Sequence, residues 1–250
     1  MAAPAKLEFD VEMTCQKCVK KVENALQGVD GVKSVSVDLS SGKVLVDSSL
    51  GSERIKALIE STGKRAVLKG MGGKTGSHLG AAVSIMEYGS ASVRGLIRFV
   101  QTDTDQLVVD GTIDGLAPGK HALCVHECGD VSEGCNSCGD VYGSMGINNL
   151  TATKGEMGDI EVGLDGRAEF RFTNSRLKVW ELIGRSMIIH QASTEILKAQ
   201  RGPDNRITCG IIARSAGLFQ NAKKICACDG VTQWDERNVP VAGKGRQANL

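Results

Sequence analysis

Hydrophobic periodicity changes once along this chain, at the glycine-rich stretch "KGMGGKTGSHLG" (69–80), and that change limits what the chain can fold into. Before it the pattern switches repeatedly between strand and helix spacing. "LEFDVEM" alternates Leu7, Phe9, Val11 and Met13 against charge, which predicts a half-buried strand. "CVKKVENALQG" puts Val19, Val22, Ala25 and Leu26 on one helical face, with Gly28 to end it. "VKSVSVDL" and "KVLVD" alternate across an "SSG" turn and read as a hairpin. Ser52 is placed to cap "SERIKALIEST", with Ile55, Leu58 and Ile59 as its stripe, and "KRAVL" is a last strand. The order βαββαβ predicts a ferredoxin-like α+β domain over residues 1–72, with 69–80 as a linker.

Beyond Gly80 helical spacing nearly vanishes. "AAVSIME", "SVRGLIRFVQ", "LVVDGTIDGL", "HALCVHECG", "RAEFRF" and "RSMIIH" are short strand-like pieces between turn residues. They predict an all-β sandwich or barrel over 73–219, with long loops at 148–161 and 192–206. Residues 220–250 have little apolar periodicity and read as a flexible tail.

Composition narrows the function classes. The formal net charge is +1, so no basic excess points to nucleic acid. The first dozen residues lack a signal-peptide core, and no apolar run approaches the ~18 residues of a membrane span. A cytoplasmic protein is expected. Against that stand nine cysteines in clusters: Cys15 and Cys18; Cys124, Cys128, Cys135 and Cys138; Cys209; Cys226 and Cys228. In a reducing compartment such clustering points to metal or thiol chemistry.

"MTCQKC" (13–18) lies between the first strand and the first helix. Helix N-terminal amides favour thiolate, and two soft thiolates on a short loop suit Cu(I). A redox pair or half a zinc site is the blander reading of C-x-x-C. The βαββαβ frame and the preceding Met-Thr give this segment a resemblance to the heavy-metal-associated domain, whose motif is M-x-C-x-x-C. That resemblance implies Cu(I) bound by Cys15 and Cys18.

"LAPGKHALCVHECGD", "GCNSCG", "IGRSMIIH" and "RITCGIIARSAG" together resemble copper-zinc superoxide dismutase over roughly 80–215. The fold implied is an eight-stranded Greek-key β-barrel. The dismutase metal set is broken here. Its paired copper histidines fall on Cys124 and His126, its bridging histidine on Val141, and its last zinc histidine on Glu156. Asp159 and His190 match ligands, whereas His78 and His121 do not. The site needs six histidines and the chain has four, so neither dismutase activity nor dismutase-type zinc is expected. The resemblance also implies a Cys135–Cys209 disulfide, an active-site arginine at Arg206, and a dimer face around Gly129, Asp130, Ile183, Gly184, Ile211 and Ile212. A barrel that lost its ligands and kept its pairing face reads as a docking module for a dismutase subunit, with a homodimer as the other pairing.

Cys124, Cys128, Cys135 and Cys138 offer a rival zinc site, weakened because Cys135 already has a partner by resemblance. Cys124, His126 and Cys128 are read as sharing a strand face. Whether they and His190 bind metal stays open at this level. In the tail, "GLFQNAKKICACDGVTQWDER" and "VAGKGR" resemble the copper chaperones for superoxide dismutase, a family similar to this chain from end to end. Cys226 and Cys228 then become the C-x-C that passes copper and disulfide on, with Lys223 and Lys224 favouring thiolate. A dismutase-bearing cytosol is the implied setting, a copper donor at the membrane a further partner, and "QANL" a faint peroxisomal address beside a minor mitochondrial pool. The competing functions are a superoxide dismutase and a thiol-disulfide oxidoreductase.

Overall fold

The computed structural model describes residues 3–73, 79–144, 153–199, 205–226 and 229–243. His78, Cys228 and the final "QANL" lie outside them. The first unit runs β1 (Ala5–Val11), α1 (Gln16–Leu26), β2 (Val32–Asp38), β3 (Lys43–Ser48), α2 (Ser52–Glu60) and β4 (Ala66–Gly72). Its antiparallel sheet has the order β2-β3-β1-β4. Leu7, Phe9 and Val11 on alternate positions of β1 bury against Val22, Leu26, Ile55 and Ile59 of the two helices. Gly28 takes φ +77 after α1, the left-handed position that its sequence place predicts.

The second unit contains β5 (Ala81–Met86), β6 (Tyr88–Gly89), β7 (Arg94–Asp103), β8 (Gln106–Asp114), β9 (Gly119–His126), β10 (Glu156–Val162), β11 (Arg167–Asn174), α3 (Val179–Leu182), β12 (Ser186–His190), α4 (Thr194–Ala199) and β13 (Arg206–Arg214). Eight strands form the path β10-β9-β12-β13-β5-β7-β8-β11, with the short β6 on β13. All pairs are antiparallel and the sheet curls into a nearly closed barrel. Ile97, Phe99, Leu107, Val109, Leu123, Val125 and Ile189 fill its interior.

Three sequence expectations change here. The predicted linker begins too early: Lys69–Gly72 continue β4, with Gly70–Gly72 paired to Lys6–Glu8 of β1 and Lys69 at the register shift. The predicted loop 148–161 contains the start of β10. A register shift between Glu156 and Gly158 breaks the alternation that would have betrayed that strand. Ser52 is the first residue of α2 rather than its cap, and its backbone N–H donates to Asp110 Oδ2 at 2.9 Å. Its hydroxyl also donates to the Asp110 carboxylate.

Asp110 belongs to β8, so the barrel caps the helix of the other unit. Arg171 of β11 stands beside it, Nη1 to Oδ2 3.5 Å, and donates to the carbonyls of Leu50 (2.6 Å) and Ser48 (3.2 Å). Burial pushes the Arg171 pKa below its ordinary value, with Asp110 opposing that shift.

The tail is the larger departure. Helix α5 (Gln233–Asn238) and the described residues before it lie on the first sheet. That is why β1 is buried on both faces rather than half-buried: Glu8 is only 1 % exposed. Glu8 takes Lys43 Nζ at 2.6 Å and the backbone N–H of Phe219 at 2.5 Å. Lys69 donates to the Lys223 carbonyl and, at 2.8 Å, to Gln233 Oε1. Arg237 donates to Glu60 at 2.7 Å, and Arg65 stacks over Trp234 at 5.1 Å. A Cβ on Gly70 would sit 2.3 Å from the Gly217 carbonyl, and one on Gly72 2.7 Å from the Leu218 side chain. These glycines let the tail come close.

Two substitutions test the seam. Asp110→Ala strands buried Arg171 without its counter-charge, a loss of about 3–5 kcal/mol. Ser52→Ala removes one neutral donor, about 1 kcal/mol. Urea unfolding of the full chain should rank them in that order. Equal midpoints would show that Asp110 does not organise the junction.

Candidate functional site

Cys15 is the N-cap of α1 and is exposed, while Cys18 is buried in its first turn. The helix starts there because Cys15 keeps extended dihedrals while its carbonyl accepts from Cys18 N at 2.9 Å and Val19 N at 3.3 Å. The two sulfurs are 3.5 Å apart, close enough to share one ion. Thr14 Oγ1 lies 3.8 Å from Cys18 Sγ. The Thr14 backbone amide, then the Cys15 thiol, lowers the Cys18 pKa to about 6. One thiolate is thus present near neutrality without metal, the state that a soft cation needs.

Met13 of this loop lines a cleft of about 450 Å³ with Leu39, Lys224, Ile225 and Trp234, so the tail forms its far wall. Ile225 pairs with Thr232, and Cys226 N donates to the Val231 carbonyl at 2.8 Å. Cys226 therefore belongs to a paired stem that is fixed on the first sheet. It is partly exposed. Lys223 pairs with Glu236 at 3.0 Å, which raises the Lys223 pKa.

In the barrel, Leu123 and Val125 point into the core, so Cys124 and His126 share the opposite face. β9 ends at His126, and Cys128 sits beyond it in an exposed turn, off that face. His126 Nε2 meets His190 Nε2 at 3.1 Å, and His126 Nδ1 lies 2.9 Å from the Gly139 carbonyl. A carbonyl only accepts, so His126 carries its proton on Nδ1 and its Nε2 receives the proton of His190 Nε2. Val141 bridges opposite His126, and Asp159 takes the N–H and hydroxyl of Thr194 at 2.7 and 2.5 Å to cap α4. Val141 thus offers no ligand atom, and one oxygen of Asp159 is engaged by Thr194. Among the described residues no three His, Cys, Asp or Glu side chains group around a metal position, four-cysteine zinc included.

Cys135, Cys138 and Cys209 pack together with Ile188, and the structure holds all three as thiols. Cys209 packs against both of the others, and their side chains raise its pKa above the ordinary thiol value. The same contact lowers Cys135, and lowers Cys138 to about 6. Cys209 thus has two neighbours within reach, where the sequence resemblance implied Cys135 as its disulfide partner. Arg206 donates to the carbonyls of Cys135 (2.7 Å) and Gly139 (2.9 Å), bracing the loop that carries two of those thiols.

The expected pairing face is contiguous. Gly184 N donates to the Ile212 carbonyl at 2.9 Å, and a Cβ on Gly129 would sit 2.4 Å from the Gly184 carbonyl. Gly184 and Asp130 are exposed, Gly129 and Ile183 partly so, and Ile211 is 38 % exposed. Ile212 is different: strand alternation turns it into the core, so its side chain offers nothing to a partner. Sequence reasoning missed Trp180 of α3, three residues before Ile183 and 57 % exposed. An indole between Lys178 and Glu181, just before an Ile-Gly turn, was the available signal.

The comparisons with known proteins follow the same division. Residues 8–65 match the heavy-metal-associated domain family and residues 93–212 the copper/zinc superoxide dismutase family. The human protein named copper chaperone for superoxide dismutase is 47% identical, over 96% of this chain and 92% of its own length. The rat protein of the same name is 46% identical over the same shares. A yeast protein, superoxide dismutase 1 copper chaperone of Saccharomyces cerevisiae, is 29% identical over 94% of each. With two domains in that order and such identity along nearly the whole sequence, the chain belongs to the family of copper chaperones for superoxide dismutase.

Proposed function

We propose that the chain takes up Cu(I) on Cys15 and Cys18, docks on a copper-zinc superoxide dismutase subunit, delivers the metal and promotes that partner's intrasubunit disulfide. The observation that carries the reading is the Cys15–Cys18 pair itself, 3.5 Å apart at a helix N-terminus with one thiol shifted to about 6. Exposed Cys15 lets a third thiolate approach and take the ion without its release into solvent.

The docking face is Gly129, Asp130, Ile183, Gly184 and Ile211, widened by Trp180, with Ile212 supporting it from the core. A homodimer through the same face is the second pairing. Cys226 and Cys228 are the transfer thiols. The cleft shared by Met13 and Ile225 supports a short path from the first cysteine pair to the tail. In the barrel, the Cys135–Cys209 disulfide forms under oxidising conditions. The barrel needs no dismutase-type zinc, because Val141 and Asp159 are committed elsewhere. Dismutase activity of its own and general thiol oxidoreductase activity are the lesser readings. The setting is the cytoplasm, with minor peroxisomal and mitochondrial pools and a membrane copper donor as further proposals. Among the described residues no helix is long and apolar enough to cross a membrane.

The copper assignment is tested in a Cys226→Ser/Cys228→Ser background, so that the tail cannot supply ligands. Adding Cys15→Ser should abolish tight Cu(I) binding in competition with a chromogenic chelator. Unchanged stoichiometry would move the site elsewhere.

Ile211→Asp puts a carboxylate into the apolar part of the docking face, which should weaken association by several kcal/mol. The expected result is loss of heterodimer with apo-dismutase in sedimentation experiments, with monomer stability kept within about 1 kcal/mol because Ile211 is part-exposed. Undiminished heterodimer places the face elsewhere.

The tail double-serine variant should keep copper at Cys15 and Cys18 and still dock, while recovery of dismutase activity and disulfide in apo-partner falls sharply. Activation at the parental rate would mean that the first domain delivers directly.

A further inference from the structure

Val83 of β5, Arg98 of β7, Asp110 of β8 and Arg171 of β11 stand side by side in register on one face of the barrel. Asp110 and Arg171 are committed to the first domain, as described. Arg98 is not. Its cross-strand neighbour Asp110 gives its contacts to Ser52 and Arg171, and Glu53 acts on it only at a distance. Among the described residues no hydrogen bond or ion pair reaches its guanidinium. Its five N–H donors are therefore left for the cavity beside it, where an acceptor with two oxygens fits the fork.

Arg98 lines a cavity of about 160 Å³ between the two domains. Its walls come from three parts of the chain: Lys69–Met71 of β4, Val83 and Val100 of the barrel, and Ser215, Ala216 and Asn221 at the start of the tail. The lining includes two cations, a hydroxyl and an amide, and no carboxylate. Lys69 has two of its three donors on Lys223 and Gln233; Asp10 stands 3.8 Å away, and Glu8 acts on it from further off. Burial pushes the pKa of both Lys69 and Arg98 below their ordinary values, as expected for cations short of counter-charge.

We infer that this cavity is a binding site for a small oxyanion of the phosphate or sulfate class, anchored by the Arg98 guanidinium fork with Lys69 as the second positive charge. A planar fork matches two oxygens of such an anion at once. Ser215 and Asn221 supply neutral donors from the tail side. The anion touches sheet, barrel and tail together, so its binding closes the junction among all three. The inference does not depend on the copper reading.

The test is unfolding of the full metal-free chain in inorganic phosphate against sodium chloride of equal ionic strength. The midpoint should rise with phosphate and level off as the site fills, beyond any rise in chloride. Arg98→Met should remove that saturable difference. In chloride alone its midpoint should stay close to the parent's, because the part-exposed charge is replaced and the stem still packs. Asn221→Leu fills the cavity from the tail without touching either domain's core. It should weaken the phosphate response in the same assay, and it decides the question if Arg98→Met does not fold. Identical wild-type midpoints in the two salts would overturn the inference, as would a parental phosphate response in Arg98→Met or, failing that variant, in Asn221→Leu.

Discussion

One carboxylate joins the two halves of this chain. Asp110 leaves the barrel surface, accepts from Ser52 at the start of α2 and stands against Arg171, which in turn holds the carbonyls of Ser48 and Leu50. The charge pair belongs to the barrel, and the first domain adds the Ser52 donors and the two carbonyls that complete its hydrogen bonds. Sheet, barrel and tail then have a defined relation, and the cleft beside Met13 exists because the tail is held where the seam puts it. Domain junctions within a chain are ordinarily polar and mobile; charge pairing this deeply buried is what keeps this one fixed.

The barrel shows how a catalytic fold changes role when its metal ligands go. His126 and His190 remain, and they satisfy one another across 3.1 Å. Asp159 has become a helix cap, and Val141 packs opposite His126. At the turns of Gly129 and Gly184 the two backbones approach closely, a Cβ on Gly129 meeting the Gly184 carbonyl.

Much of this was legible in the sequence where local pattern and tertiary burial agree. The βαββαβ order could be read because Leu7, Phe9 and Val11 alternate while Val19, Val22 and Leu26 follow helical spacing. The metal loop was legible because both of its thiols lie within four residues. Strand β10 was hidden by the bulge at its start, which puts Met157, Ile160 and Val162 inward at unequal intervals. The cap of α2 was misread because its partner lies 58 residues away. The tail was misread because what holds it is not periodic: a buried lysine, a glutamate accepting a backbone N–H, two glycines and a stacked indole.

The bare glycine strip of β4 and the inward ammonium of Lys69 have a consequence for how the protein is made. During synthesis the first sheet emerges long before Gly217, Leu218, Phe219, Lys223 and Gln233, which cover it, and a ribosome adds only about 5–20 residues per second. For those seconds Lys69 and Glu8 face water, and the β4 surface is an unfinished edge. Segments translated after the barrel therefore complete the first domain. An abrupt stop after the barrel would leave the N-terminal sheet, not the barrel, as the damaged region.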